Sequence, residues 1–177
     1  MTDKIKIFAY GSLINIRSLN RTVPKVENIF PAKVFGFSRS FSLPSSYRFD
    51  SQTSAAVCVL NVETGSSQAF LNGICFEMDA YDFDALKERE KFYCLQEVDI
   101  RHYHDEADCY AGYLFMAKGH KPYSFLSTSP EQNHYLRLCI SGCEIYGVDF
   151  VKQFKETTDF WGIKKESDIK AIWEGKY

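Results

Sequence analysis

Ile5-Lys6-Ile7-Phe8-Ala9-Tyr10 runs without a linker into Gly11-Ser12-Leu13. The first six residues read as a short buried strand. A strand leading straight into Gly-Ser predicts a backbone loop that something small approaches closely. Glycine removes the Cβ that blocks such an approach, and successive N–H groups leaving a strand point at an anion or a carbonyl oxygen. The same residues also suit an ordinary turn after an edge strand. A carboxylate much further along the chain separates the two readings.

Around this stretch, a chain of 177 residues has room for one domain, residues 1–177, with a sizeable core. Hydrophobic residues make up 45% and aromatics 16%, which points to a globular rather than a disordered chain. A net charge of -2 gives no support for nucleic-acid or anionic-membrane partners. Apolar runs such as Ala55–Leu60 fall far short of a membrane span. The N-terminal apolar run is broken by Lys6 and is too short for a signal segment. The expectation is a soluble, cytoplasmic protein, its oligomeric state open. Six cysteines without a CxxC pair read as buried thiols rather than disulfides or metal ligands. Of these, Cys58, Cys75, Cys94 and Cys109 fall in expected strands, and Cys139 and Cys143 on one helix face.

Along the chain, Ile14 to Thr22 reads as a short irregular helix stopped by Pro24. Val26 to Leu43 is strand-like with a bend near Pro31 and Gly36, and Pro44 to Ser54 reads as a polar, mobile loop. Ala55–Val62 and Phe70–Met78 make a strand pair, the first buried on both faces. Asp79 caps a helix that extends to Tyr93. Cys94–Tyr103 and Cys109–Met116 form a second hairpin-like pair. Ser129-Pro130-Glu131-Gln132 starts a helix with an N-cap serine, proline at the first position and a capping-box glutamine. Tyr135, Leu138, Cys139, Cys143 and Tyr146 then repeat at helical spacing. Phe150, Val151 and Phe154 suggest a further helix, and Ser167–Trp173 a short terminal one. Strands without regular βαβ alternation, followed by helices, indicate an α+β fold.

The carboxylate emerges from the helix after Asp79. At about 100° per residue, Phe83 and Leu86 define its apolar stripe, and Glu90 falls between them in angle. Glu88 points about 140° away from Phe83, towards solvent with Asp84. One of two neighbouring glutamates therefore sits on the buried face. Burial disfavours a charged carboxylate and moves its pKa towards the range useful for proton transfer. A helix-end glutamate paired with a lysine or with Arg101 fits the pattern as well.

At these residues the chain resembles the γ-glutamylcyclotransferase family. Phe8-Ala9-Tyr10-Gly11-Ser12-Leu13 is similar to its YGS loop, and Leu86-Lys87-Glu88-Arg89-Glu90 with Tyr93 and Val98 to its second signature. Val34 to Phe41 resembles the stretch after the first crossover, particularly in the glutathione-degrading branch. Ser129-Pro130 with Tyr135, Cys139, Gly142 and Cys143 is similar to the Ser-Pro…Tyr helix. The resemblance implies a compact mixed β-barrel flanked by helices, with the pocket between loop and glutamate. It implies conversion of a γ-glutamyl amide into 5-oxoproline and a free amine, without cofactor or metal. Glu90 matches the general acid/base, and Tyr10, Gly11, Ser12 and Leu13 match the loop that holds the glutamyl moiety. Leu13 replaces the asparagine found in many members, although the glutathione-degrading branch also uses leucine.

Arg39, Tyr93 and Tyr135 are further candidates for substrate contact. Arg39 suits a substrate carboxylate or an exposed strand end. Ser12 as a hydrolase nucleophile lacks both a GxSxG elbow and an identifiable base. His102 and His104 alternate onto one strand face, which fits a partly buried strand end better than a metal site. Neither a Walker A nor a GxGxxG stretch occurs. The alternative from another class is a non-catalytic module that binds a small molecule or a protein on the same barrel.

Overall fold

The computed structural model describes residues 4–23 and 25–176. The chain begins with β1 (Ile5–Ala9), a single 3-10 turn (Ser12–Ile14) and α1 (Ile16–Thr22). There follow β2 (Glu27–Phe35), β3 (Phe37–Phe49), β4 (Ala56–Thr64), β5 (Phe70–Met78) and α2 (Ala80–Arg89). After β6 (Cys94–His102) and β7 (Cys109–Met116) come α3 (Pro130–Glu144), α4 (Val148–Glu156), β8 (Thr158–Phe160) and α5 (Glu166–Glu174). Pro24, read as the stop of the first helix, lies outside the described residues.

Five strands close a barrel in the order β1-β5-β2-β6-β7, and the remaining three form a sheet in the order β4-β3-β8. All barrel pairings are antiparallel except the closing one, where Ile7 of β1 meets Tyr113 of β7 in parallel. With five helices around these sheets among the described residues, the chain has the expected α+β architecture. Side chains alternate across each barrel strand. Phe8, Val34, Leu71, Ile100 and Leu114, one from each barrel strand, meet in one buried cluster. The opposite faces of β1 and β5 contribute Ile7, Ala9, Ile74 and Phe76 to a larger core shared with the second sheet and the helices.

The sequence suggests one bent strand from Val26 to Leu43; the structure divides it between two sheets. Gly36, at φ +82°, turns the chain out of β2 and into β3. That backbone conformation is open to glycine without a Cβ penalty. The polar stretch after Leu43 is also more ordered than its composition suggests. β3 continues to Phe49, with Pro44 opposite Cys58 and Phe49 opposite Ala56. Residues 45–48 therefore bulge from the strand. Ser45 Oγ accepts the N–H groups of Tyr47 (3.3 Å) and Arg48 (3.0 Å) and sets the shape of the bulge.

α2 is capped by Asp79, whose carboxylate accepts the Asp82 N–H at 2.9 Å. It ends at Arg89, four residues before the expected Tyr93. In α3, Ser129 Oγ accepts the Gln132 N–H at 3.2 Å, but the Gln132 side chain does not reach back to complete a capping box. Its amide instead exchanges two hydrogen bonds with the Cys58 backbone, both at 2.8 Å, and fastens α3 to β4. All six cysteines are free; Cys58, Cys75, Cys139 and Cys143 are buried. Cys94 and Cys109 are exposed, contrary to expectation, because each begins a strand at the barrel rim. Among the described residues no helix is long and apolar enough to cross a membrane.

The far end of α3 lies on the 3-10 turn at Gly142. A Cβ there would stand 2.7 Å from the Ile14 carbonyl carbon and closer still to the Asn15 nitrogen. Beside it, Asn15 Nδ2 donates to Ser141 Oγ at 3.0 Å. Gly142→Val should force α3 off the turn and cost ~1–3 kcal/mol, the usual range for overpacking. Thermal melting should show a Tm lower by about 2–12 °C, and an unchanged melt would refute the tight seat.

Candidate active site

β1 delivers Tyr10 to the barrel rim, where the 3-10 turn begins. Ile14 N–H donates to Gly11 O at 3.0 Å and Asn15 N–H to Ser12 O at 3.2 Å. Like the start of any helical turn, this one has N–H groups without partners in the turn. Among the described residues, no protein acceptor is bonded to the N–H groups of Gly11, Ser12 or Leu13. A Cβ on Gly11 would meet Tyr135 Oη at 3.4 Å, ordinary contact, so the protein itself does not demand glycine there on steric grounds.

A cavity of about 680 Å³ opens against this turn. Its wall includes the Tyr10–Leu13 loop, the end of α2, the β3 bulge and one face of α3. Glu90 enters as the residue that ends α2, its N–H still bonded to Leu86 O at 2.9 Å. The near-helical path keeps it on the side of buried Phe83 and Leu86, whereas Glu88 faces solvent. The Tyr93 N–H then donates to Glu90 O at 2.8 Å, and this tight turn folds Tyr93 back onto the same wall.

Burial and the neighbouring Glu90 charge push the Tyr93 phenol up to about 12. Burial pushes Tyr10 higher still, with Tyr93 and Glu90 contributing and Arg39 opposing. Both phenols therefore stay neutral at physiological pH. The Tyr10 hydroxyl donates to Phe115 O at 2.6 Å, which ties the loop to β7. Tyr135, also buried, accepts the Leu60 N–H through its hydroxyl at 3.3 Å.

No protein-family model matches the chain, and no curated protein sequence does. Solved structures do. One named gamma-glutamyl cyclotransferase superposes with a TM-score of 0.69 at 14% identity, covering 97% of this chain and 99% of that one. An uncharacterized protein from Homo sapiens gives 0.67 at 15% identity, over 97% and 98%. A gamma-glutamyl cyclotransferase specific to glutathione from yeast gives 0.60 at 14% identity, over 98% and 95%. The fold is that of the γ-glutamyl cyclotransferases.

On this cyclotransferase fold, Tyr10, Gly11, Ser12, Leu13, Glu90, Tyr93 and Tyr135 all line the one cavity. Arg39 does not. It is fully buried behind the loop, and burial lowers its pKa to about 10. Nε donates to Thr158 Oγ1 (2.8 Å), and Nη1 to Tyr10 O (3.1 Å) and Asn72 O (2.7 Å). Nη2 donates to Asn72 Oδ1 (3.1 Å), Phe154 O (3.1 Å) and Thr157 Oγ1 (3.0 Å). The guanidinium also lies 3.8 Å from the centre of the Phe154 ring. With its donors occupied by the protein, Arg39 is a positioning residue for the loop rather than a substrate contact. Alternation along β3 does not reveal this, since the partners come from four other parts of the chain.

His102 stacks on Phe30 at 5.4 Å, and its Nδ1 accepts the His104 N–H at 3.3 Å. Among the described residues no group of three or more His, Cys, Asp or Glu is placed to hold a metal ion. Sequence reasoning missed Arg17, Arg21, Arg48 and Arg137, which also line the cavity. The fourfold spacing of Arg17 and Arg21 was the available signal, since it places both on one helix face.

Arg39→Met should leave buried carbonyls and Asn72 without partners, a loss of ~3 kcal/mol or more by the usual cost of such groups. Melting should fall by about 6–12 °C on that scale. Arg39→Lys should rescue little, because one ammonium cannot span the five residues. A wild-type melt with only a raised KM would instead make Arg39 a substrate contact.

Proposed function

We propose that this protein cyclises a γ-glutamyl amide to 5-oxoproline and releases a free amine. The observation that carries the reading is the meeting of two features on one cavity wall: the Glu90 carboxyl and the N–H groups of Gly11, Ser12 and Leu13 that have no protein acceptor. The fold shared with structures named gamma-glutamyl cyclotransferase supports it.

The substrate brings its own nucleophile. Its α-amine attacks the γ-carbonyl carbon, forming the new C–N bond of a five-membered ring. A tethered nucleophile in good geometry corresponds to effective molarities of about 10⁵ M or more, so much of the barrier is met by folding the glutamyl chain correctly. Negative charge develops on the carbonyl oxygen, where the loop N–H groups supply fixed donors. Glu90 takes the proton from the attacking amine. When the tetrahedral intermediate collapses, the old C–N bond breaks and Glu90 returns the proton to the departing nitrogen. Water is neither consumed nor released.

Several parts of the fold suit this role. Tyr10 holds the loop through its hydroxyl bond to Phe115 and its carbonyl bond from Arg39. Neutral Tyr93 beside Glu90 gives the carboxyl a neighbour that does not compete for protons at physiological pH.

Glu90→Gln keeps the shape but removes the proton carrier. Its 5-oxoproline production should fall ~10²-fold or more, with an unchanged melt, while Glu88→Gln stays near wild type. Cyclisation also predicts no ¹⁸O in the 5-oxoproline formed in labelled water, and no reaction when the substrate α-amine is acetylated. Free glutamate as the main product would replace cyclisation by hydrolysis. Binding without turnover across γ-glutamyl compounds would make the protein a binding module with Glu90 as a structural carboxylate.

A further inference from the structure

The charge of the cavity runs against that of the chain. The protein carries a net charge of -2, yet Arg17, Arg21, Arg48 and Arg137 all line this one cavity, and among the described residues Glu90 is the single acidic one in its wall. Among the described residues none of the four arginines forms an ion pair.

Three separate elements bring these cations together. Arg17 and Arg21 lie one turn apart on α1, and Arg137 shares a face of α3 with His134. The seat of Gly142 on the 3-10 turn and the Asn15–Ser141 bond hold α1 and α3 side by side. The third element is the β3 bulge, which turns Arg48 inward. Arg48 is half-buried, its guanidinium 5.4 Å from the centre of the Tyr135 ring and 5.3 Å from that of Tyr47. Its Nε is buried and has no hydrogen-bond partner. A buried donor left unmatched is costly, and a bound anion removes that cost. Exposed arginines on a helix are ordinary by themselves. Four unpaired ones around one cavity, with a buried donor among them, describe an anion-binding wall.

A γ-glutamyl substrate has one fixed carboxylate of its own, on the glutamyl α-carbon. That leaves most of the positive wall for the rest of the molecule. A cavity of about 680 Å³ lies in the range that encloses drug-sized ligands, so there is space beyond the glutamyl moiety. Resting on the cyclisation reading above, we propose that the amine released is itself polyanionic, with at least two negative charges carried as carboxylates or as a phosphate. A leaving group with no net negative charge, such as lysine joined through its ε-nitrogen, whose α-ammonium offsets its α-carboxylate, gains the least from the same wall.

The test compares 5-oxoproline formation, as kcat/KM at low ionic strength, from γ-glutamyl-glutamate, γ-glutamyl-phosphoethanolamine, γ-glutamyl-glutamine and Nε-(γ-glutamyl)-lysine. At least one of the two substrates with a dianionic leaving group should exceed γ-glutamyl-glutamine by ~10-fold or more, as expected for charge-assisted bonds to arginine, with the lysine conjugate last. Whichever leads identifies carboxylate or phosphate as the group recognised. The advantage should shrink as added salt screens the wall. Arg17→Gln and Arg137→Gln should each reduce the preference for the dianionic group over γ-glutamyl-glutamine several-fold, chiefly through KM. Arg137→Lys should restore part of it. Lys152→Gln, a charge change on α4 outside the cavity wall, should leave the preference as it was. Equal rates for γ-glutamyl-glutamine, whose leaving group carries a single carboxylate, and for both substrates with a dianionic leaving group would overturn the proposal while leaving cyclisation standing. If no substrate yields 5-oxoproline, the cyclisation reading falls. Calorimetric binding of γ-glutamyl-glutamate against γ-glutamyl-glutamine then decides the charge preference by itself, equal affinities overturning it.

Discussion

One buried cation joins the parts of this molecule. Arg39 leaves β3 and is held by the loop after β1, by Asn72 of β5 and by the carboxyl end of α4 with the start of β8. A buried guanidinium is costly unless its donors are matched. Here the match comes from carbonyl and side-chain oxygens, including Phe154 O near the negative end of the α4 dipole. Asn72 extends the network by donating to Phe150 O at 2.9 Å. Barrel, second sheet and α4 can satisfy this group only when all are in place, so it couples their positions.

That coupling matters for the site because Arg39 grips the Tyr10 carbonyl at the start of the loop. The Tyr10 hydroxyl is fixed at the other end by Phe115. Backbone N–H groups stabilise a developing charge well when they need not reorganise to do so. A loop pinned at Tyr10 and backed by Gly142 of α3 meets that condition with few bonds. Arg39 and Gly142 therefore fix the position of the loop without reaching the cavity themselves.

The cavity divides between two kinds of group. In the cyclisation proposed above the loop donors and Glu90 would serve any γ-glutamyl substrate, whereas the arginines on α1, α3 and the β3 bulge differ from them in origin and character. The first set comes from the end of a barrel strand and the end of the helix that follows β5. The second comes from elements packed over the barrel, where substitutions leave the strand ladder untouched. One fold can in this way keep a reaction and vary the molecule on which it acts.

The sequence alone carried the local features of this protein. The strand into Gly-Ser, the Asp79 and Ser129 caps and the apolar stripe of Phe83 and Leu86 depend on neighbours within a turn or two. Their period and chemistry stand in the residues themselves. The angle of Glu90 was legible for the same reason, even though α2 stops at Arg89 and the residue takes its place as the helix cap. Arg39 was not legible, because its partners range from Tyr10 to Thr158 and only tertiary packing brings them together. Nor was the arginine wall, since α1, α3 and a strand bulge share no sequence neighbourhood. The bulge is set by β3 pairing with β4 on either side of it, and the division of the Val26–Leu43 stretch by which sheet each half joins. Hydrogen bonds and charge pairs between distant segments form only once the chain is folded, so a pattern read residue by residue holds no record of them.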